Sequence, residues 1–344
     1  MKSSSKFILL LVIVLTAVLG IMMAAFSLPA VNSGIHNVPI GIVSNSEQMN
    51  QKVTNTLKDK GFKVTEYHDT QTMKDDINHR KIYGAIKLDS SGEVIVYKAT
   101  AASTAVAQAI TQVGNTIVDQ QKLLGTQQIQ KLLNQTTDLT TIKVLNQKLT
   151  MLNHQTVKII ELKSFPKADP NGTGLAAGAL PIALGGWIGT VAIANFVKGK
   201  RQKLYALIAF AVVGGLGLVA VIQFGIGTFD GNYLLTSLGA MLGIAATGFL
   251  VLGILEILGN AGLAMAAVLL ILLGNPLSGL TSAPEMLPSG WGTVGQLLPP
   301  GATGTLLRNI AFFDGYAITY PIIILSSYII FGLLLFKIGK KSIL

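Results

Sequence analysis

The groups with which this chain could do acid–base, nucleophilic or metal chemistry are few and scattered: four histidines, no cysteine and sixteen carboxylates in 344 residues. The lack of cysteine removes thiolate metal sites, thiol nucleophiles and disulfides, so any exported part must be held by its core alone. His36, His68, His79 and His154 are far apart, without the i, i+4 pairing that sets two imidazoles on one metal. They read as solvated surface histidines. No GxxxxGK[ST] loop occurs, and the only GKKS lies in the C-terminal tail, so this chain does not hydrolyse ATP by that route. Glu256 stands inside a long apolar run, where a proton-relay carboxylate is one reading; solvation at the run's edge is preferred. Neither paired carboxylates nor a Ser/His/Asp cluster accompanies it, so no catalytic residue, cofactor or metal is expected.

The rest of the composition explains this poverty. The chain is 50% hydrophobic and only 12% charged, with a mean hydropathy of +0.57, whereas soluble domains carry about 25% charged residues. Twenty-eight of its forty-two charges fall within residues 32–173. A bilayer core about 30 Å thick needs roughly 20 apolar helical residues, and six runs approach that: 7–31, 174–197, 204–228, 233–258, 261–274 and 318–336. The first is too long for a signal-peptide core and reads as a retained anchor, with cleavage near Ala30 as the alternative. Basic residues flank these runs: Lys2 and Lys6, then Lys198, Lys200, Arg201 and Lys203, then Lys337, Lys340 and Lys341. Such clusters mark cytoplasmic ends, so both termini are expected inside and residues 32–173 outside. Membrane orientation also accounts for the formal charge of +10, and no nucleic-acid partner is expected.

The outer segment reads as a small α/β domain. VPIGIVS, FKVTEY, IYGAIKL and GEVIVYKAT are strand-like, with helical spacing in EQMNQKVTNTLKDK and over residues 72–81. Val106, Ile110, Val113 and Ile117 then begin one or two amphipathic helices that lead through the linker SFPKADPNGTG to the second run. The expected fold is thus a polytopic α-helical membrane protein of six transmembrane helices in a 1+5 arrangement, with an α/β extracytoplasmic domain between the first two. Its divisions are 1–31, 32–173 and 174–344.

Small and breaking residues punctuate the membrane part. The pairs Gly185 with Gly189 and Gly239 with Gly243, and the group Gly214, Gly215 and Gly217, read as sites of close helix packing, a dimer seam among the options. Pro181 should kink or break its helix. Residues 275–314, NPLSGLTSAPEMLPSGWGTVGQLLPPGATGTLLRNIAFFD, forbid one continuous helix. They predict a break at Asn275 and a re-entrant external loop over 275–315, with Trp291 at the interface and 296–313 lying amphipathically at headgroup level. Asn275, Pro276, Gly279, Pro284, Pro288, Pro299, Pro300 and Arg308 are its marked positions. Arg308 is read as pairing with Asp314 or Glu285, or as a solvated interfacial charge.

One anchor helix, an external domain opening on VPIGIVS and five clustered helices resemble the ABC type-2 permeases, membrane subunits of ABC exporters. The NPLSGLTSAPEMLP…LLPPGATGTLLRNIAFFDG stretch is most similar to the phage infection protein type within that group. The resemblance implies two membrane subunits packed together as a homodimer or heterodimer among membrane lipids, with a separate cytoplasmic ATPase driving alternating access. It makes Lys198, Lys200, Arg201 and Lys203 the ATPase-coupling loop, and residues 275–308 an external re-entrant gate. The coupling loop is short and lacks an amphipathic helix, which departs from the family pattern. A surface receptor or secretion scaffold that does not transport is the alternative, and an ion-coupled transporter acting alone a third.

Overall fold

The computed structural model describes residues 5–31, 34–44, 47–89 and 91–339, so Lys2, Lys340 and Lys341 of the basic clusters lie outside the described residues. The chain forms two compact units, Asn37–Ser164 and Met1–His36 with Phe165–Leu344. The second unit opens with helix α1 (Ser5–Val31), which carries the apolar stretch Val12–Leu28.

Asn37–Ser164 is an α/β unit. Its elements are β1 (Val38–Ser44), α2 (Glu47–Asp59), β2 (Phe62–Tyr67), α3 (Thr70–Asn78), β3 (Gly84–Leu88), β4 (Val94–Lys98), α4 (Thr104–Leu133), α5 (Leu139–Asn153) and β5 (Lys158–Glu161). The sheet order is β2-β1-β3-β4-β5; all neighbours are parallel except the β3–β4 hairpin. Helix crossovers cover the sheet, so β1 is buried at Val38, Ile40, Ile42 and Val43 and reads as a continuous apolar run. Leu57, Met73, Ile77, Ile86 and Ile110 are buried in the same unit.

Asp69, Ser103 and Asp138 accept from first-turn N–H groups of α3, α4 and α5, respectively, which sets where these helices begin. Asp76 accepts from the Tyr67 hydroxyl and the Lys81 ammonium, both at 2.8 Å. Burial works to raise its pKa, but those donors together hold it below the ordinary carboxylate range.

In the other unit the helices after the linker are α6 (Thr173–Phe196), α7 (Lys200–Ala220) with a π-helical end (Val221–Ile226), and α8 (Tyr233–Leu258). They are followed by α9 (Asn260–Ala267) with a π-helical end (Val268–Leu273), α10 (Trp291–Leu297), α11 (Pro299–Phe312) and α12 (Thr319–Ile338). Four of the six expected runs are helices long and apolar enough to cross a membrane: α6, α7 with its π end, α8 and α12. Val12–Leu28 and Asn260–Leu273 are shorter apolar stretches. The chain is a membrane protein, mostly helical, with a small α/β region.

Helix α8 is the axis, buried almost continuously from Thr236 to Glu256 by α6, α7, α11 and α12. Glycine makes this possible. A Cβ at Gly253 would strike the backbone of Gly332, and one at Gly332 would strike Phe249, so α8 and α12 touch main chain to main chain. Helix α6 runs through Pro181 as one 24-residue element, so the expected break there does not occur.

Candidate functional site

The prolines and glycines of residues 275–313 build a hairpin inside the bundle at the end where α8 begins. Helix α11 packs along α8 from Gly231, which lies just before its start and meets the Ala311 carbonyl, to Gly243, where a Cβ would lie 2.5 Å from Thr303 Cγ2. Gly243 is about 15 Å along α8 from its start, so α11 begins deep in the bundle and climbs back towards that end. A buried helix start exposes unpaired N–H groups, a severe cost away from water. Pro299 and Pro300 occupy its first turn and carry no N–H, which removes two of those donors. Pro300 seats against Gly274, the residue after the α9 π segment.

Buried on every side, α11 is not an amphipathic helix at headgroup level, and that expectation is corrected. Gly301, Ala302 and Gly304 make its second face narrow enough to be covered, Gly304 by Leu280 and Gly301 by Gly295. Its apolar residues Leu306 and Ile310 pack on Ala246 and Leu325.

Polar side chains tie the hairpin together. Thr305 donates to Gln296 Oε1 at 2.6 Å, Gln296 Nε2 donates to the Ser278 carbonyl at 2.8 Å, and Ser278 Oγ donates to the Asn275 carbonyl at 2.7 Å. The Arg308 guanidinium donates to the Gly279 carbonyl at 3.3 Å and to the Leu280 carbonyl at 3.0 Å. Gly279 adopts φ +68°, the left-handed turn that brings these two carbonyls to one cation. With only 4% of its surface exposed, Arg308 is not a solvated interfacial charge. The irregular backbone of 275–280 thus has side-chain donors where no helix supplies them.

The marked positions of the hairpin therefore come together unequally. Asn275, Pro276, Gly279, Pro299, Pro300 and Arg308 belong to this stapled core, Pro284 packs on Gly279 and starts a short 3-10 turn (Pro284–Met286), and Pro288 precedes α10. Sequence reasoning missed Ser278, Gln296 and Thr305. Their signal was present as three polar residues in an apolar, proline-bounded stretch.

The basic cluster lies at the opposite end of the bundle. Only residues 197–199 link α6 to α7, so Lys200, Arg201 and Lys203 form the first turn of α7 instead of a loop. A cation at a helix N-terminus opposes the helix dipole. Lys200 reaches the favourable pole of another helix: it donates to the Gly339 carbonyl at the α12 C-terminus at 2.9 Å and sits 4.9 Å from the Phe336 ring centroid. Lys198 and Arg201 are exposed. Glu256 is buried beside Gly339 at this same end.

The packing glycines act between helices of one chain. Gly189 faces the Phe210 ring of α7, Gly239 and Gly243 face α11, and Gly185 makes only an ordinary contact with Ile244. The tight α6–α8 approach belongs to Gly186, one residue on.

A family model described as ABC-2 family transporter protein matches residues 6–337, nearly the full chain. The chain belongs to the ABC-2 transporter family. No curated protein matches it. Membership assigns this ABC-2 protein a permease-type role in transport, as a membrane component. Among the described residues, no group of three or more His, Asp or Glu is placed to hold a metal ion.

Proposed function

We propose that this ABC-2 protein is the permease subunit of an ABC exporter in the plasma membrane, moved by a separate cytoplasmic ATPase. Two such subunits, identical or different, enclose the path. Both termini and the Lys198 to Lys203 cluster face the cytoplasm, α1 and α9 add two crossings to the four long helices, and residues 32–173 lie outside. Family membership supports the transport role, and the stapled hairpin of 275–313 is the observation that carries the rest. Irregular backbone inside a bilayer is tolerated where protein buries it or where it borders a cavity, and its place on the α8-start side supports the reading of this hairpin as an outer gate.

The three-residue α6–α7 link has no coupling helix, so docking falls to exposed Lys198 and Arg201 and the neighbouring Phe196, which is 85% exposed. The test is purification in mild detergent from the native membrane, with identification of partners and an ATPase assay. A stoichiometric ATPase whose turnover the permease stimulates is expected, and Lys198→Glu with Arg201→Glu should abolish both. Recovery of surface or secretion components without hydrolysis would replace this reading with the receptor or scaffold one.

A further inference from the structure

Beside the hairpin lies a cavity of about 580 Å³, within the range of sites for single small ligands. One wall is apolar: Phe26 of α1 with Ala176, Ala177 and Leu180 in the first two turns of α6. The other is the irregular segment from Asn275 to Ser282, closed by Leu287. No residue lining it carries a charge.

Its polar groups are of one kind. Facing Arg308 and Gln296, the segment's carbonyls are engaged by donors. On the cavity side, the Asn275 amide and the Thr281 and Ser282 hydroxyls make no hydrogen bond to another described residue. Across from them, Pro181 cannot donate to the Ala177 carbonyl as the fourth residue along a helix normally does. Neutral donors and acceptors therefore share this cavity with an apolar wall.

We propose that this cavity binds an uncharged amphiphile, a single alkyl chain with a hydroxyl-rich head such as glycerol or a sugar. The chain lies against Phe26, Ala177 and Leu180, and the head exchanges hydrogen bonds with Asn275, Thr281, Ser282 and the Ala177 carbonyl. A phosphate or ammonium head is disfavoured because no counter-charge lines the site, and an unpaired charge there would lose its hydration without recompense. The assignment deepens the permease reading by naming a substrate class, and it rests on that reading only for the ligand's transport.

The test uses the full-length chain in lipid nanodiscs without nucleotide or ATPase. The probe is monooleoylglycerol carrying a photoactivatable diazirine in its chain, compared with the matching lysophosphatidate and quaternary-ammonium probes. Labelling of 176–180 or 275–287 by the neutral probe, competed by plain monooleoylglycerol, is expected. Thr281→Val with Ser282→Ala, at positions reached by solvent, should weaken labelling roughly tenfold, the equivalent of one or two hydrogen bonds. Ala177→Trp, which fills the pocket, should remove it. Equal labelling by a charged probe, labelling confined to other helices, or unchanged labelling in the double variant would each overturn the site. Because no ATPase is present, these outcomes are independent of the pull-down: absence of an ATPase there would overturn the permease reading and leave this binding site standing.

Discussion

Arg308 shows how much one buried side chain can carry. Its guanidinium replaces helix N–H donors for two consecutive carbonyls, so truncation would leave the Gly279 and Leu280 acceptors without their side-chain donor. Arg308→Met should lower stability by about 2–3 kcal/mol, read as a fall in the thermal midpoint of the detergent-solubilised protein. Gln296→Leu should cost about 1–2 kcal/mol by the same measurement, because Thr305 and the Ser278 carbonyl each lose a partner. An unchanged midpoint in both would mean that the hairpin is held by packing alone. Arg308 stood out in the sequence as a lone cation in an apolar stretch, but its acceptors did not. Backbone carbonyls leave no trace in residue identity, and Gly279, where they converge, was marked only as a glycine of the loop.

At the scale of elements, caps and close contacts set the register. Asp69 and Asp138 accept from the Thr72 and Thr141 hydroxyls and from first-turn N–H groups, which hold both carboxyls below their ordinary value of 3.8. The stabilisation is therefore complete above the unfolded value and disappears as the pH falls through the lower folded one. Calorimetry of the Asn37–Ser164 unit within the full chain should show its midpoint dropping between about pH 5 and 3. Asp69→Asn with Asp138→Asn should flatten that drop, and an unaltered slope would contradict the capping account. In the bundle, Gly243→Val would force Thr303 away and lift α11 from α8, at about 1–3 kcal/mol, again in the thermal midpoint.

Strands β1 to β4 were legible because apolar, β-branched runs end at turns. The edge strand β5 was not, since its four residues, Lys158–Glu161, become a strand only by pairing with β4. Helix α11 was read as lying at the membrane surface because PPGATGTLLRNIAF looks two-faced. Small residues made its polar face coverable, and that depends on what packs there.

Across the whole molecule, charged residues cluster in the Asn37–Ser164 unit, an α/β fold, and apolar runs gather around α8. Hydropathy cannot say which short runs cross, since Asn260–Leu273 has only 14 residues and ends in a π-helical turn against the hairpin. The basic cluster was visible, but the tie from Lys200 to the end of α12 was not, because the two are 139 residues apart. That tie joins the first turn of α7 to the end of α12.

In the proposed cycle this end is pushed by the ATPase and the hairpin at the far end opens and closes. The chain lacks cysteine, so one introduced thiol reports the motion without background. The most direct measurement is the labelling rate of Ser278→Cys by a membrane-impermeant maleimide applied to whole cells, energised and then depleted of ATP. The account predicts slow labelling in depleted cells, where Ser278 is buried as seen here, and clearly faster labelling when ATP is restored. A rate that does not respond to ATP would contradict an ATP-driven gate at this hairpin.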